Sequence, residues 1–328
     1  MYSIGLDISK ATIDIYIPIN KSNAQIDNNI KSIKSFYLKL KQLYEKDINK
    51  LVFVFESTGS YSNLLKVFCS KNEIKCFIVN PKKSCNFAKV IGQRNKSDIE
   101  DSIMLSKMLV TALDKEISVP AINNVVEELH EFISYYKFLL KQRTQNKNHL
   151  EAISIKNPNS IVSKHIIKEI KLLNLKIDKL IDSMKKLIKK DKYLYEAFTN
   201  ILTIQGVGDI SAIVLLHHFI KYPNTNQKEI ISLAGLDPIS KSSGTSVQSR
   251  TKISKAGSKL CRSTLFMAVM VAVRFNGELK DYYERLKERG KHTTVTQIAV
   301  MRKIIIIAHS LYKNNEQYNA EKYKKFVA

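Results

Sequence analysis

The sequence predicts an α/β domain followed by a mainly helical chain, and three patterns in its 328 residues indicate this. Short β-rich segments open the chain and then alternate with helical segments, which is typical of an α/β domain. Apolar residues spaced alternately four and three apart follow, and this spacing indicates a coiled-coil helix. The rest of the chain shows mostly helical periodicity. We therefore predict an α/β domain over residues 1–115, a helical coiled-coil arm over residues 116–194 and a mainly α-helical domain over residues 195–328.

Four segments of the first domain are predicted strands. Tyr2 to Leu6 and Ile13 to Ile19 flank a short polar turn, and the second has apolar residues at alternate positions. Leu51 to Phe55 is a continuous apolar run, as expected for a central strand that is buried on both faces. Ile74 to Val79 is another such run, and the pattern from about residue 30 to residue 44 predicts a helix.

The predicted arm consists of two long helices joined by a short turn. The first runs from Val125 to about Leu150, and the break at Asn157–Asn159 ends it. The second carries the alternating apolar residues, which are Ile166, Ile170, Leu173, Ile177, Leu180, Met184 and Leu187. A helical hairpin inside a globular core is the alternative, and the many lysines between the apolar positions favour an arm.

The composition favours a polyanionic partner. Lys and Arg total 53 against 30 for Asp and Glu, which gives a formal net charge of +23 and a pI near 9.7. A lysine bias inherited from an A+T-rich genome is an alternative source of this charge. The four cysteines form no Cys-x-x-Cys pair, and the longest wholly apolar stretches fall far short of the ~20 residues that span a bilayer. We expect a cytoplasmic protein with reduced thiols and no membrane partner.

Four acidic residues are candidate metal ligands. Asp7 ends the first strand, Glu56 follows the buried run Leu51–Phe55, and Asp98 and Asp101 lie three apart at a helix start. Each has an ordinary explanation by itself, such as a helix N-cap for Asp98 or a loop position for Glu56. An acid that ends a buried strand is costly unless it is paired or bound to a metal. Converging carboxylates supply the oxygen ligands that divalent cations need for phosphodiester cleavage, and Mg²⁺ is the expected ion.

The motifs around these acids resemble those of a known family, the bridge-RNA-guided insertion-sequence transposases. The segments that carry the resemblance are Gly5–Lys10, Glu56–Gly59, Asn80–Pro81 and Arg94–Asp101. The resemblance implies an RNase H-like fold of the RuvC type, with a DEDD site in which Asp7, Glu56, Asp98 and Asp101 bind Mg²⁺. Ser57 and Ser97 depart mildly from the family pattern and leave the acids intact.

A polar loop rich in Gly and Ser lies between Asp237 and Gly257 and interrupts the helical pattern of the last domain. The segments that resemble the C-terminal transposase domain of the same family are Ala234–Pro238, Ser243–Val247 and Lys255–Gly257. This resemblance implies that Ser243, which precedes Gly244, is the nucleophile. The residues alone do not select Ser243, because a flexible Ser-rich loop explains it and its serine neighbours equally well. Those neighbours are Ser242, Ser246 and Ser249.

Several residues are candidates for contact with nucleic acid. Ile204–Gly208 lies between two apolar helical patterns and predicts the hairpin of a helix-hairpin-helix. Gly206 and Gly208 would let backbone N–H groups approach a phosphate, with a merely tight connection as the alternative. Basic residues beside the acids and beside the serine loop are further candidates, with a solvated basic surface as the alternative. They are Arg94, Lys96, Arg250, Lys252, Lys255, Lys259 and Arg262.

These observations together predict a DNA transposase or site-specific recombinase. Ser243 is expected to attack a phosphodiester and give a phosphoserine and a free 3′-hydroxyl. The resemblance implies double-stranded donor and target DNA as substrates and a structured noncoding guide RNA as a partner. It also implies a homodimer that pairs into a homotetramer, acting at the nucleoid of a prokaryotic cell.

The same residues allow three other functions. The main alternative is a metal-only RuvC-like Holliday-junction resolvase in which water is the nucleophile, and Ser243→Ala separates it from the recombinase. An actin-like ATPase is less consistent with the sequence, because Ser9 stands where the phosphate loop of that fold needs a glycine. The four intact acids disfavour a catalytically inactive nucleic-acid-binding protein.

Overall fold

The structure is a computed structural model that divides into two compact units, Met1–Asn123 and Asn124–Ala328. It describes residues 1–93, 95, 97–157, 160–240, 242–243, 247–248 and 251–327, and only the backbone of residues 242–243, 247–248 and 324–327. The finer division of the chain into three parts stays a prediction.

A six-stranded mixed sheet forms the centre of the first unit. Its strands are β1 (Tyr2–Ile8), β2 (Thr12–Ile17), β3 (Ser22–Asp27), β4 (Leu51–Glu56), β5 (Lys75–Val79) and β6 (Ile117–Ser118). They lie in the order β3-β2-β1-β4-β5-β6. β4 is parallel to β1 and to β5, whereas the other neighbouring pairs are antiparallel. This sheet, followed by a mostly helical chain, is compatible with an RNase H-like domain.

The four predicted strands are confirmed as β1, β2, β4 and β5, but β3 and β6 were not predicted. β3 has a polar sequence with a single large apolar residue, Ile26, and β6 has only two residues. Both are edge strands that pair with one neighbour. An edge strand needs little apolar surface, so its conformation depends on pairing that the local sequence pattern does not record.

Helices cover both faces of this sheet. They are α1 (Ile30–Tyr44), α2 (Asn63–Lys71), α3 (Pro81–Val90) and α4 (Asp98–Lys107). Ile33 of α1 and Phe68 of α2 pack in one core with Leu6 of β1. Met104 of α4 packs in a second core with Val54 of β4. Because alternate residues of a strand point to opposite faces, α4 lies on the face opposite α1 and α2.

The second unit begins with two long helices, α5 (Asn124–Lys156) and α6 (Ile161–Lys189), that pack along one another. Arg143 Nη1 of α5 donates a hydrogen bond of 3.2 Å to Asn174 Oδ1 of α6. Five of the seven apolar positions predicted from the spacing are buried, namely Leu173, Ile177, Leu180, Met184 and Leu187. They belong to the same core as Leu129 of α5 and the helices that follow. The apolar stripe of α6 is therefore used within the chain.

The described residues of the second unit also form seven further helices and four short strands. The helices are α7 (Lys192–Leu202), α8 (Asp209–Lys221), α9 (Gln227–Leu233), α10 (Lys259–Phe275), α11 (Gly277–Glu288), α12 (Thr293–Asn314) and α13 (Ala320–Val327). The strands, all within the predicted serine loop, are β7 (Pro238–Ile239), β8 (Ser242–Ser243), β9 (Val247–Gln248) and β10 (Lys252–Ile253). The mainly helical character is thus confirmed, and the strands in the loop were not predicted.

Among the described residues, α12 is the one helix long and apolar enough to span a membrane by length and composition. Its Val300, Ile304 and Leu311 are fully buried in the core that also contains residues of α8 and α10. This is the position of a central helix in a packed domain.

Candidate active site

A row of polar residues crosses the sheet of the first unit. Asp7 of β1 is the cross-strand partner of Asp14 of β2. On the other side of β1, Leu6 is the partner of Phe55, so the residues that follow them, Asp7 and Glu56, lie at the same level. Partners across a sheet project from the same face. The row therefore brings Asp7, Asp14 and Glu56 to one face of the sheet.

Helix α4 brings the other two predicted acids to this face. Gly5, which shares the face of Asp7, lies directly against the backbone of α4. The helix begins at Asp98, and the Ser97 side chain caps it by accepting a 3.2 Å hydrogen bond from a backbone N–H of the first turn. Asp98 and Asp101 both lie in that first turn, where the helix dipole favours negative charge.

Burial and the neighbouring acids both disfavour the ionised form of Asp7. Burial raises the pKa of Asp7 from its usual value of 3.8 to about 6, together with the charges of Asp101, Asp98, Glu56 and Asp14 in decreasing order of effect. Neighbouring negative charges disfavour the ionised carboxylate. The four predicted acids therefore form one electrostatic cluster, which we call the acidic cluster.

Neutral side chains hold two of these carboxylates. Gln93 Nε2 donates a hydrogen bond of 2.8 Å to Asp101 Oδ1. The hydroxyl of Ser84, which is fully buried in α3, donates to Glu56 Oε1. Since neither partner is a cation, these hydrogen bonds fix the carboxylates without offsetting their charge.

The acidic cluster fits a divalent cation by its donor chemistry and its charge. Carboxylate oxygens are the ligands that hard cations prefer, and Gln93 Oε1 beside them is buried with no hydrogen-bond partner among the described residues. No group of three or more His, Cys, Asp or Glu residues in the described part of the chain is already arranged to hold an ion. Because like charges repel, carboxylates close around a cation only when its charge offsets that repulsion.

Sequence analysis did not identify Asp14 as part of this site. The sequence does show an acid at position 14, between Ile13 and Ile15 of a predicted strand. Which residue lies opposite Asp7 depends on the register of the β1–β2 hairpin, and the sequence pattern does not define that register. Asp14 is only 6% exposed. Gln25 Nε2 of β3 donates to both of its carboxylate oxygens, at 3.0 and 3.2 Å.

The backbone closes the base of the serine loop. Strands β7 and β10 form an antiparallel pair on its two sides. Ser254 N donates to Asp237 O at 2.9 Å, and Lys255 N donates to Gly235 O at 3.1 Å. Gly235 and Gly257 are in contact, since a Cβ atom at Gly235 would lie 2.6 Å from Gly257 N. Backbone contacts therefore hold the two ends of the loop close together.

Two arginines reinforce this base. Arg262 Nη1 donates hydrogen bonds to Ala234 O at 3.1 Å and to Gly257 O at 2.8 Å, one on each side of the loop. Arg302 Nε donates to Leu236 O at 2.7 Å. The guanidinium of Arg262 thus holds the loop together, and its predicted role in nucleic-acid binding stays a prediction.

The backbone of Ser243 lies in β8, where Ser243 is the partner of Val247 in β9. The side chain of Ser243 lies outside the described part of the chain, as do the predicted nucleic-acid-binding residues Arg94, Lys96 and Arg250. The three other predicted basic contacts are exposed, namely Lys252, Lys255 and Lys259. Their binding of nucleic acid stays a prediction.

Gly206 and Gly208 lie in the short connection between α7 and α8. Gly206 has a φ of +100°, and a Cβ atom there would lie 2.7 Å from Ala272 N and 2.8 Å from Ala268 O of α10. Glycine at position 206 is therefore needed for packing against α10. Gly208 has open space around it and precedes the first turn of α8 without a side-chain cap. Of the two, Gly208 has the better position for a phosphate contact.

Both units match known transposase domains. Residues 4–153 match the DEDD transposase domain of IS110 elements, and residues 199–284 match the model of the transposase IS116/IS110/IS902 family. The pilin gene-inverting protein of Moraxella bovis is 27% identical over 331 residues, covering 96% of this chain and 97% of that protein. The pilin gene-inverting protein of Moraxella lacunata is 27% identical over 330 residues with the same coverage.

The fold, the acidic cluster and these matches define a DNA transposase, an enzyme that recombines DNA. The chain belongs to the IS116/IS110/IS902 transposase family, with the DEDD domain at its N-terminal end and the second family domain at its C-terminal end. The family predicted from the motifs is confirmed. A DEDD domain indicates dependence on a divalent metal.

Proposed function

We propose that this transposase cuts and rejoins DNA through a covalent intermediate on Ser243, with Mg²⁺ bound by Asp7, Glu56, Asp98 and Asp101. The observation that carries the proposal is the acidic cluster. Asp7 and Glu56 lie at the same level of two neighbouring parallel strands, and the contact of α4 with Gly5 brings the first turn with Asp98 and Asp101 to the same face. The match of both units to transposase domains supports DNA as the substrate.

The acidic cluster would supply the electrophilic part of the reaction. Asp7, Glu56, Asp98 and Asp101 would hold Mg²⁺, which would supply Lewis-acid stabilisation of negative charge on a phosphodiester oxygen. Hydrogen bonds from Ser84 and Gln93 would restrict the rotation of the Glu56 and Asp101 carboxylates. Because the pKa of Asp7 is raised to about 6, a proton competes with the cation below that pH. Cation binding should therefore tighten as the pH rises from 5 to 7.

The serine loop would supply the nucleophile. The Oγ of Ser243 forms a bond to phosphorus, the bond from phosphorus to O3′ breaks, and the hydroxyl proton is balanced by the proton on the new 3′-hydroxyl. Rejoining reverses this step with a 3′-hydroxyl of the partner DNA. A nucleophile must be held in a defined position, and the closed base of the loop at Gly235 and Gly257 supports this requirement.

The proposal also includes the nucleic-acid partners and the assembly. A structured noncoding RNA would select the double-stranded donor and target DNA, and a homodimer would pair into a homotetramer at the nucleoid. The net charge of +23 supports binding of both nucleic acids. In this scheme α7 and α8 act as a helix-hairpin-helix with Gly208 at a phosphate, and α5 and α6 act as a coiled-coil arm. The core-facing side of α6 is already buried, so contacts between copies would use its exposed side.

A covalent adduct tests the serine mechanism. Wild-type protein is incubated with Mg²⁺, guide RNA and a substrate nicked to block rejoining, and the products are separated by denaturing electrophoresis. We expect a protein–DNA adduct that Ser243→Ala abolishes, together with recombination. The matched controls Ser242→Ala and Ser246→Ala should retain much of both. Recombination by Ser243→Ala at the wild-type level would instead support the metal-only resolvase, in which no adduct forms.

A second experiment tests the metal ligands. Asp101→Ala should abolish Mg²⁺-dependent strand cleavage while the protein keeps its fold, because the largely exposed first turn of α4 loses one metal ligand and a single hydrogen bond from Gln93. Circular dichroism checks the fold. Cleavage by Asp101→Ala at the wild-type rate would remove Asp101 from the site.

A further inference from the structure

Asp14 is a buried carboxylate that pairs with no cation among the residues the structure describes. It is 6% exposed and lies between the buried residues Ile13 and Ile15 of β2. The hydrogen bonds that it accepts come from the neutral amide of Gln25. None of the ion pairs among the described residues includes Asp14. A buried charge without a counter-ion costs stability, so the contacts of the described residues give no reason for an acid at this position.

The position of Asp14 connects it with the acidic cluster. It is the direct cross-strand partner of Asp7, and such partners have Cβ atoms about 4.5–5.5 Å apart. Helix α4 packs on β2 as well as on β1, so this part of the sheet is covered. Water screens a charge poorly where protein covers it, and the attraction of a buried carboxylate for a cation therefore extends over several ångströms.

Gln25 fixes where this charge lies. It is the cross-strand partner of Asp14 on the side away from Asp7, so Gln25, Asp14 and Asp7 follow one another across three strands. The amide donates to both oxygens of Asp14 and keeps the carboxylate on its own strand. This arrangement favours an electrostatic role at a distance over direct coordination of an ion.

We propose that Asp14 is a positioning residue of the cation site, whose fixed negative charge strengthens binding of the divalent cation at Asp7 without contacting the ion. The inference rests on the proposed function, because it requires a cation at the acidic cluster. It also gives a reason for the unbalanced charge of Asp14, since the counter-ion is then the cation itself.

Calorimetric titration of the full-length protein with Mn²⁺ tests the inference. The isosteric change Asp14→Asn removes the charge and should weaken binding about tenfold. Asp27→Asn is the matched control, because Asp27 is an exposed acid on the adjoining strand β3. It should change the affinity less than about twofold, as expected for a screened surface charge. Asp7→Asn should abolish binding.

Two further readouts separate an electrostatic role from a structural one. The melting temperature of metal-free Asp14→Asn should equal or exceed that of the wild type, because an unbalanced buried charge has been removed. The Mg²⁺ concentration for half-maximal strand cleavage should rise, while the rate at saturating Mg²⁺ stays within about twofold of the wild type.

The outcomes distinguish this inference from the proposed function. Unchanged Mn²⁺ binding by Asp7→Asn would overturn the proposed cation site itself. If Asp7→Asn abolishes binding and Asp14→Asn binds as tightly as the wild type, the site stands and the role of Asp14 is wrong. A lower melting temperature of metal-free Asp14→Asn would also overturn the inference, since the carboxylate would then serve the fold.

Discussion

A Cβ atom at Gly5 would lie 1.9 Å from the carbonyl oxygen of Ser102, so the backbones of β1 and α4 are in direct contact. No side chain fits between them. Two residues beyond Gly5 comes Asp7, and one turn before Ser102 comes Asp98, so the same contact fixes the separation of these two acids. The close approach of strand and helix is what places carboxylates from both elements in one cluster.

Gly5→Ala should therefore damage both stability and metal binding. The added methyl group must displace α4, and we expect a loss of about 2–3 kcal/mol in the free energy of unfolding, as for an overpacked core. Chemical denaturation measures this loss, and Mn²⁺ titration measures the affinity. Gly277→Ala is the control, because a Cβ atom there meets nothing within 4 Å. Wild-type stability and affinity in Gly5→Ala would show that α4 does not need this contact.

Asp7→Asn should stabilise the metal-free protein in a pH-dependent manner. Burial and the neighbouring acids raise the pKa of Asp7 to about 6, so its ionised form destabilises the native state above that pH. The native state binds the proton first as the pH falls from about 6 toward 3.8, which relieves this cost. We expect a gain of about 1–3 kcal/mol from Asp7→Asn at pH 8 and almost none at pH 4. Denaturation in EDTA at the two pH values measures it, and an equal gain at both would contradict the assignment.

Acid should lower the stability of the second unit, whereas protonation of Asp7 relieves a destabilising charge in the first unit. Burial lowers the pKa of His217, His218 and His309 to about 4, below the usual value of 6.5. Between those values the unfolded chain binds protons that the native state does not bind. Stability is therefore fully present above pH 6.5 and falls as the pH drops, by about 1.4 kcal/mol per pH unit for each histidine.

Histidine replacements test this response. His309→Leu should flatten the fall in melting temperature between pH 6.5 and 4.5, because one buried imidazole no longer titrates. His292→Asn is the control, since His292 is exposed and caps α12 with a side-chain acceptor that Asn retains. A slope that stays the same in His309→Leu would exclude His309 as a source of acid sensitivity.

Arg262→Ala should open the base of the serine loop. Two hydrogen bonds that join Ala234 and Gly257 are lost, so we expect faster proteolysis between residues 237 and 257 and loss of DNA joining. A phosphate contact would instead show itself as a salt dependence of DNA binding that is weaker by about one unit of slope. Arg274→Ala removes an exposed charge near the other end of α10, outside the predicted nucleic-acid contacts, and serves as the control. Unchanged proteolysis with a reduced salt slope would return Arg262 to the nucleic-acid contacts.

Ile177→Lys should disrupt the packing of α6 on α5. Ile177 is 4% exposed in the continuous core of the second unit, and a buried lysine there should cost more than about 3 kcal/mol. Leu175→Lys is the matched control on the same helix, because Leu175 is 58% exposed. Thermal denaturation and light scattering together measure stability and size. A smaller particle with an unchanged melting temperature would show that Ile177 lies between two copies of the chain.

The sequence predicted the central strands because they are apolar, and it predicted the acids because they end such strands. Leu51–Phe55 is apolar throughout, so both its strand conformation and the position of Glu56 follow from the local pattern. Asp98 and Asp101 follow in the same way from a capped helix start. β3 was missed because its sequence is polar and only its pairing with β2 defines it.

The remaining site residues depend on tertiary structure. Asp14 joins the site through the register of a hairpin, and Gln93 joins it through a side-chain hydrogen bond across eight residues. Arg262 was predicted to be a nucleic-acid contact on charge alone, since charge does not show which carbonyl groups lie within reach. Gly206 was predicted to approach a phosphate, whereas the backbone that it meets is that of α10.

The closed base at Gly235 and Gly257 separates the length of the serine loop from the positions of the surrounding helices. Because both ends are fixed by backbone contacts and by Arg262, a change of length between them does not need to move any helix. Doubling the length of a flexible loop costs only about 0.6 kcal/mol in closure entropy. Evolution is then free to vary the loop independently of the helical frame.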